Sequence, residues 1–274
     1  MGSRDRADAS YDYVLGDSSR EAERLERQAQ LWDPCAHRLF ERISVRAGWR
    51  ALEVGPGQGS VHMDLRRRVQ QPIDAVERSP IFAAAVRYRT RRDGLGEGQI
   101  WQTDLISAPL PPSAYDLIYA RWVLCFLPDP EAHIRRLVGA LKPGGLLAIQ
   151  DYAHRESFAL FPRPAEWLDF LAADRAMFAA YGGDISVGGQ LPTLYARVGL
   201  EVIDVTPTHL SGPAGSPVWD WLFRYFESVR ERIGSTPPMD RRKATRLWDT
   251  WCESAVDRRA FVVAPTMVDV VGRK

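Results

Sequence analysis

Residues 52–60 read LEVGPGQGS, a short apolar run with one carboxylate, Glu53, followed by glycines at positions 55, 57 and 59. A short apolar run predicts a buried strand, and Gly55 ends it. Closely spaced glycines let the chain turn sharply and let bare backbone approach a ligand. Residues 60–69 then carry a helical pattern. The segment predicts a strand, a glycine loop and a helix, with a ligand lying over the loop.

The same alternation continues outward. Residues 72–77 (PIDAVE) read as a second strand, and Ser79 with Pro80 opens a helix as N-cap and first helical residue. Residues 99–104, 115–120 and 145–151 read as the third, fourth and fifth strands, and helix 130–141 stops at KPGG. Helix 189–198, strand 200–206 and a final strand or hairpin over 260–272 complete the pattern. Strands separated by helices predict an α/β fold, a Rossmann-like, seven-stranded, mostly parallel sheet with helices on both faces. Residues 1–40 are expected to form an N-terminal helical cap that Pro34 breaks or restarts, and residues 41–274 the main domain. Two helical insertions, at about 152–188 and 211–258, are expected to form a lid over the strand ends, with 211–217 (SGPAGSP) as a flexible connector. Trp219, Trp221, Trp248 and Trp251 in the second insertion suggest an apolar lining, although such faces are more often core.

Composition narrows the function. A net charge of +1 gives no field for nucleic acid or membrane, and no apolar run is long enough to span a bilayer. The arginine runs at 66–68 and 87–92 are expected to be solvated helix faces. Cys35, Cys125 and Cys252 are scattered and odd in number, which suggests a reducing, cytoplasmic setting. The five histidines are equally dispersed, so no metal site is expected.

Two ligand chemistries use a glycine loop of this kind. The dinucleotide fingerprint GxGxxG needs its third glycine at position 60, where Ser60 stands. Glu53 would also oppose a pyrophosphate at the helix N-terminus, whereas it would suit a cationic ligand group. With Glu53 before Gly55, Gly57 and Gly59, the segment resembles motif I of the class I S-adenosylmethionine-dependent methyltransferases. The resemblance runs from about residue 30 to 206 and implies S-adenosylmethionine as cofactor. It implies that Glu77, at the second strand's end, accepts the ribose hydroxyls, with Arg78 beside it. Asp104 would lie by the adenine amino group, flanked by Thr103 and Leu105. Ala120, Arg121 and Trp122 would stand where the methionine and methyl group emerge. The stretch YDYVLG with REAERLERQAQLW is similar to small-molecule methyltransferases whose first helix closes over the cofactor, which implies contacts from Tyr13 and Gln28.

The acceptor side should lie at the fifth-strand exit, QDYAHR. His154 is the candidate general base, Asp151 its orienting partner, and Tyr152 a hydrogen-bonding contact for the acceptor. His209 is a weaker candidate base, and Asp184 is expected to cap the next segment. The expected activity is methyl transfer to an oxygen, nitrogen or carbon of a small apolar or aromatic molecule, in secondary metabolism, by a monomer or homodimer. The alternatives are an S-adenosylmethionine-binding protein that does not transfer methyl groups, a nucleic-acid methyltransferase, or an NAD-dependent oxidoreductase.

Overall fold

The computed structural model describes residues 19–274. Helix α1 spans Ser19–Arg42, and β1 (Ala51–Val54), α2 (Ser60–Val69), β2 (Asp74–Val76), α3 (Pro80–Thr90) and β3 (Ile100–Trp101) follow. Then come β4 (Tyr115–Arg121), α4 (Pro130–Ala140), β5 (Leu141–His154), β6 (Ala159–Phe161), α5 (Trp167–Ala180) and α6 (Leu191–Arg197). The chain closes with β7 (Glu201–Thr208), β8 (Ser211–Pro213), α7 (Pro217–Ile233), α8 (Arg241–Ser254), β9 (Phe261–Val263) and β10 (Thr266–Arg273).

Seven strands form one sheet in the order β3-β2-β1-β4-β5-β10-β7. Only β10 runs against its neighbours β5 and β7. The chain moves outward from β1 to β3 and then returns to β4 on the other side of β1. That reversal opens a crevice at the carboxyl ends of β1 and β4. The expected mostly parallel, seven-stranded Rossmann-like sheet is therefore present. Its third strand is shorter than the pattern suggested. β3 ends at Trp101 because its only partner, β2, has three residues, so Asp104 lies in the following turn rather than in the strand.

Strand pleating assigns the faces. Glu53 pairs with Tyr119, Tyr119 with Ala148, and Arg121 with Gln150, so all five point to one side. On that side Ala36, Leu39 and Phe40 of α1 and Val61, Leu65 and Val69 of α2 pack against Ala51, Tyr119 and Ala148. Leu52, Ile118, Leu147 and Ile149 face the other side, in one core with Leu137 of α4 and Leu194 of α6.

Pro34 does not break α1, which runs through it. The proline removes one intrahelical hydrogen bond, but Trp32, Cys35, Ala36, Leu39 and Phe40 are all buried around it and hold the helix together. Arg42 adds ion pairs to Asp204 and Asp269, each at 2.8 Å.

The insertions differ from their sequence reading in three respects. Residues 152–166 are not helical, since β5 continues to His154, a short 3-10 turn follows, and β6 precedes α5. Residues 211–213 are strand β8 rather than a loose connector, because β9 lies between β6 and β8 and hydrogen-bonds to both. The late insertion is two helices, parted by the proline-containing segment 234–240. Most of their rings are core. Phe158, Trp167, Phe170, Phe226 and Trp251 are fully buried, with Phe226 and Trp251 stacked at 5.5 Å. Arg66 is also not a solvated residue. It is fully buried and holds Asp93 through two hydrogen bonds of 2.7 and 2.8 Å.

Candidate active site

The glycine loop leaves β1 at the crevice. Gly55 has φ +66°, and a Cβ there would lie 2.6 Å from Val123 Cγ2, in the turn after β4. Two constraints therefore demand glycine: the left-handed backbone and the neighbouring valine. Gly57, at φ +54°, turns its N–H toward Glu77. Gly59 is the N-cap of α2.

Glu77 follows β2 directly. Its Oε2 accepts from the Gly57 N–H at 3.1 Å and its Oε1 from the Ser79 N–H at 2.8 Å. Burial pushes its carboxyl above the usual range, opposed by those two N–H groups. Each oxygen keeps acceptor capacity for a further donor. Ser79 caps α3 by accepting from Phe82 N, with Pro80 at the first turn, as the sequence indicates. Arg78 lies 3.9 Å from an exposed Asp104 carboxylate. Asp104 opens the turn, its carbonyl accepting from Ser107 and Ala108. Thr103 is half-buried and Leu105 buried beside it.

Glu53 is engaged rather than open. Its Oε2 lies 3.0 Å from His62 Nδ1, and both residues are buried. Ala120 is buried in β4. Arg121 ends that strand and donates through Nη2 to Asp33 of α1 at 2.8 Å. Its Nη1 is shut off from solvent with no acceptor. Trp122 has φ +51°, which is uncommon for a large side chain and concentrates at functional sites.

Gln28 is buried on α1 and accepts from Trp221 Nε1 at 3.0 Å, which ties α1 to α7. Tyr13 lies outside the described residues.

The β5 exit does not form the expected Asp151–His154 pair. The pairing of β5 with β10 shifts register there, with Tyr152 opposite Met267 and His154 opposite Thr266, and the two side chains end in different surroundings. Asp151 is fully buried and accepts from the N–H groups of Cys125 at 3.2 Å and Tyr152 at 2.9 Å. Burial pushes its carboxyl up to about 7. His154 is exposed, with Nδ1 3.2 Å from Glu156. Tyr152 is half-buried, its ring 5.7 Å from that of Trp122. His209 is exposed and 3.1 Å from the Thr266 hydroxyl. Asp184 does cap the following turn, accepting from Ser186 N at 2.8 Å.

Asp33 of α1, His62 of α2 and Arg155 after β5 were not singled out in the sequence and surround the motif positions, beside Trp32, which ends the stretch REAERLERQAQLW, and Trp221, one of the insertion's expected lining rings. Arg155 is buried, pairs with Asp174 of α5, and lies over the rings of Tyr152 and Tyr225 at 5.5 and 4.9 Å. Tyr225 of α7 donates to the same Asp174 carboxylate. For Arg155, the last residue of QDYAHR, a charged residue inside an aromatic-rich insertion was the available signal; Asp33 and His62 carry none.

The arrangement defines a cofactor-binding α/β enzyme. The chain belongs to the class I S-adenosylmethionine-dependent methyltransferases. Residues 52–149 match the methyltransferase domain family. The chain is 30% identical over 215 residues to a trans-aconitate 2-methyltransferase of Methylobacterium radiotolerans, covering 73% of this chain and 75% of that one. It is 26% identical over 204 residues to the methyltransferase GfsG of Streptomyces halstedii, covering 72% and 70%. Its fold is similar to that of the [4+2]-cyclase SpnF, with a TM-score of 0.58, 20% identity, and coverage of 89% and 81%. No helix among the described residues is long and apolar enough to cross a membrane, and no cluster there is suited to a metal ion.

Proposed function

We propose that this enzyme transfers a methyl group from S-adenosylmethionine to a small apolar or aromatic acceptor, and that Glu77 and the glycine loop hold the cofactor. The observation that carries the reading is the Glu77 carboxylate, fixed at the crevice by the Gly57 and Ser79 N–H groups with acceptor capacity left over. A vicinal diol presents two donors to such a carboxylate. Gly55 and Gly57 keep side chains out of the space above the loop. Leu105 offers an apolar surface beside it. Arg121 Nη1 is a buried donor without an acceptor and suits a carboxylate of the ligand. The residues present therefore fit this cofactor.

When bound, the cofactor supplies an electrophilic methyl group on a sulfonium. The protein's part is alignment and exclusion of water. Trp32 and Trp122 pack edge to face across the crevice at 5.5 Å and keep it dry. Asp151 is spent on the Cys125 and Tyr152 N–H groups, and the Tyr152 ring stands beside that of Trp122 at the acceptor end of the proposed site. A setting in the cytoplasm and in secondary metabolism belongs to the same proposal, and the free cysteines suit a reducing compartment.

Since the same fold carries a [4+2]-cyclase, binding and turnover need separate measurements. Calorimetric titration with S-adenosylhomocysteine tests the first. Glu77→Ala should weaken binding by about tenfold or more, the cost of a lost charged hydrogen-bond acceptor, with an unchanged circular dichroism spectrum. Equal affinity would remove Glu77 from the cofactor site. Formation of S-adenosylhomocysteine on incubation with an acceptor tests turnover.

A further inference from the structure

Glu53 and His62 stand on either side of the glycine loop. Glu53 is the third residue of β1, two before Gly55, and His62 is the third residue of α2. Their side chains meet, with His62 Nδ1 3.0 Å from Glu53 Oε2. One hydrogen bond thus ties the strand that enters the loop to the helix that leaves it. Both residues are buried, Glu53 at 3% exposure and His62 at 0%. Glu53 therefore acts on a ligand in the crevice through its charge and not by open contact.

Hydrogen bonding assigns the protons of the pair. A carboxylate only accepts, so Nδ1 carries the hydrogen and donates to Oε2. His62 Nε2 is shut off from solvent with no partner. A neutral ring leaves only a lone pair there, whereas an imidazolium would leave a buried N–H without an acceptor, the less favourable arrangement. The pair then holds one negative charge. Two arginines stand close to it, and each has its own carboxylate. Arg66, one turn further along α2, pairs with Asp93, and Arg121 pairs with Asp33. The charge of Glu53 reaches the crevice, since it adds to the rise that burial causes in the Glu77 carboxyl.

The two forms of the cofactor differ in charge at one atom. S-adenosylmethionine carries a sulfonium where S-adenosylhomocysteine has a neutral thioether, and the rest of the two molecules is shared. We propose that Glu53, held ionised by a neutral His62, biases the site toward S-adenosylmethionine relative to S-adenosylhomocysteine, with His62 as a positioning residue that acts through Glu53. This rests on the cofactor reading above and deepens it. The same charge favours exchange of the used cofactor for a fresh one.

The test titrates the parent chain, Glu53→Gln and His62→Asn with each form by calorimetry, without an acceptor. The readout is the dissociation constant of S-adenosylhomocysteine divided by that of S-adenosylmethionine. A general weakening of the site cancels in that ratio. Glu53→Gln keeps an acceptor for His62 and removes the charge, so the ratio should fall by about fivefold or more. In His62→Asn the amide nitrogen takes the place of Nδ1 and still donates, so the ratio should stay within about twofold of the parent value. An unchanged ratio in Glu53→Gln, with both ligands weakened in parallel or not at all, would overturn the proposal and leave the pair a structural tie. A ratio that moves further in His62→Asn would overturn it too, a rise marking an imidazolium and a neutral pair. Failure of the parent chain to bind either form would instead contradict the cofactor reading.

Discussion

Gly55, Glu77 and Asp151 each combine a backbone constraint with a polar role. Replacing Gly55 by alanine should destabilise the loop by about 1–2 kcal/mol through its left-handed backbone alone. The new methyl would also push on Val123, so a urea titration should show lower stability together with weaker S-adenosylhomocysteine binding. Unchanged stability would mean that the loop is less constrained than its geometry shows. Asp151 makes a different prediction. Its carboxyl titrates near 7 in the folded chain against an ordinary 3.8, so the folded state holds the extra proton. Stability from this group is full at low pH and is lost as pH rises from about 4 to about 7, by on the order of a few kcal/mol. Asp151→Asn should flatten the dependence of the urea midpoint on pH across that window. An unaltered slope would assign the titration to another group.

At the scale of elements, strand pairing and packing decide what local pattern does not. The fifth strand was legible as an apolar run, but the run hid its length. Once β5 extends to His154, Asp151 is buried under the Cys125 and Tyr152 N–H groups while His154 lies exposed beside Glu156, and the expected pair does not form. Pro34 was legible as a breaker, yet the buried face of α1 outweighs the lost hydrogen bond. The pairing of β6, β8 and β9 joins segments far apart in sequence, and three-residue strands leave little periodicity to read. Arg155 pairs with Asp174 inside the first insertion, and Tyr225 of the second meets both. Arg155→Met strands the buried Asp174 carboxylate, so it should cost about 3–5 kcal/mol in chemical denaturation. Adding Asp174→Asn should recover much of that loss. A double variant no more stable than the single one would show that ring packing, not the ion pair, holds the insertions.

Across the whole molecule, the succession of strands and helices and the cofactor class were legible because each rests on ordered local signals. Glycines, strand-end carboxylates and the N-cap at Ser79 follow one another along the chain, whereas the order β3-β2-β1-β4-β5-β10-β7 is set by which strands pair in space. The cluster of Trp32, Trp122, Tyr152 and Trp221 was not legible, because its rings come from four elements brought together only by folding. The second insertion's tryptophans also divide in a way that composition does not reveal. Trp251 is buried among Phe158, Trp167 and Phe226, whereas Trp221 is buried against Trp32 and Trp122. The central claim is that the crevice above LEVGPGQGS holds S-adenosylmethionine through Glu77. Calorimetry with S-adenosylhomocysteine and with NAD, on the parent chain and on Glu77→Ala, tests it most directly. The account predicts saturable binding of S-adenosylhomocysteine alone, weakened by about tenfold or more in the variant. Binding of NAD, or equal binding of S-adenosylhomocysteine by both proteins, would contradict it.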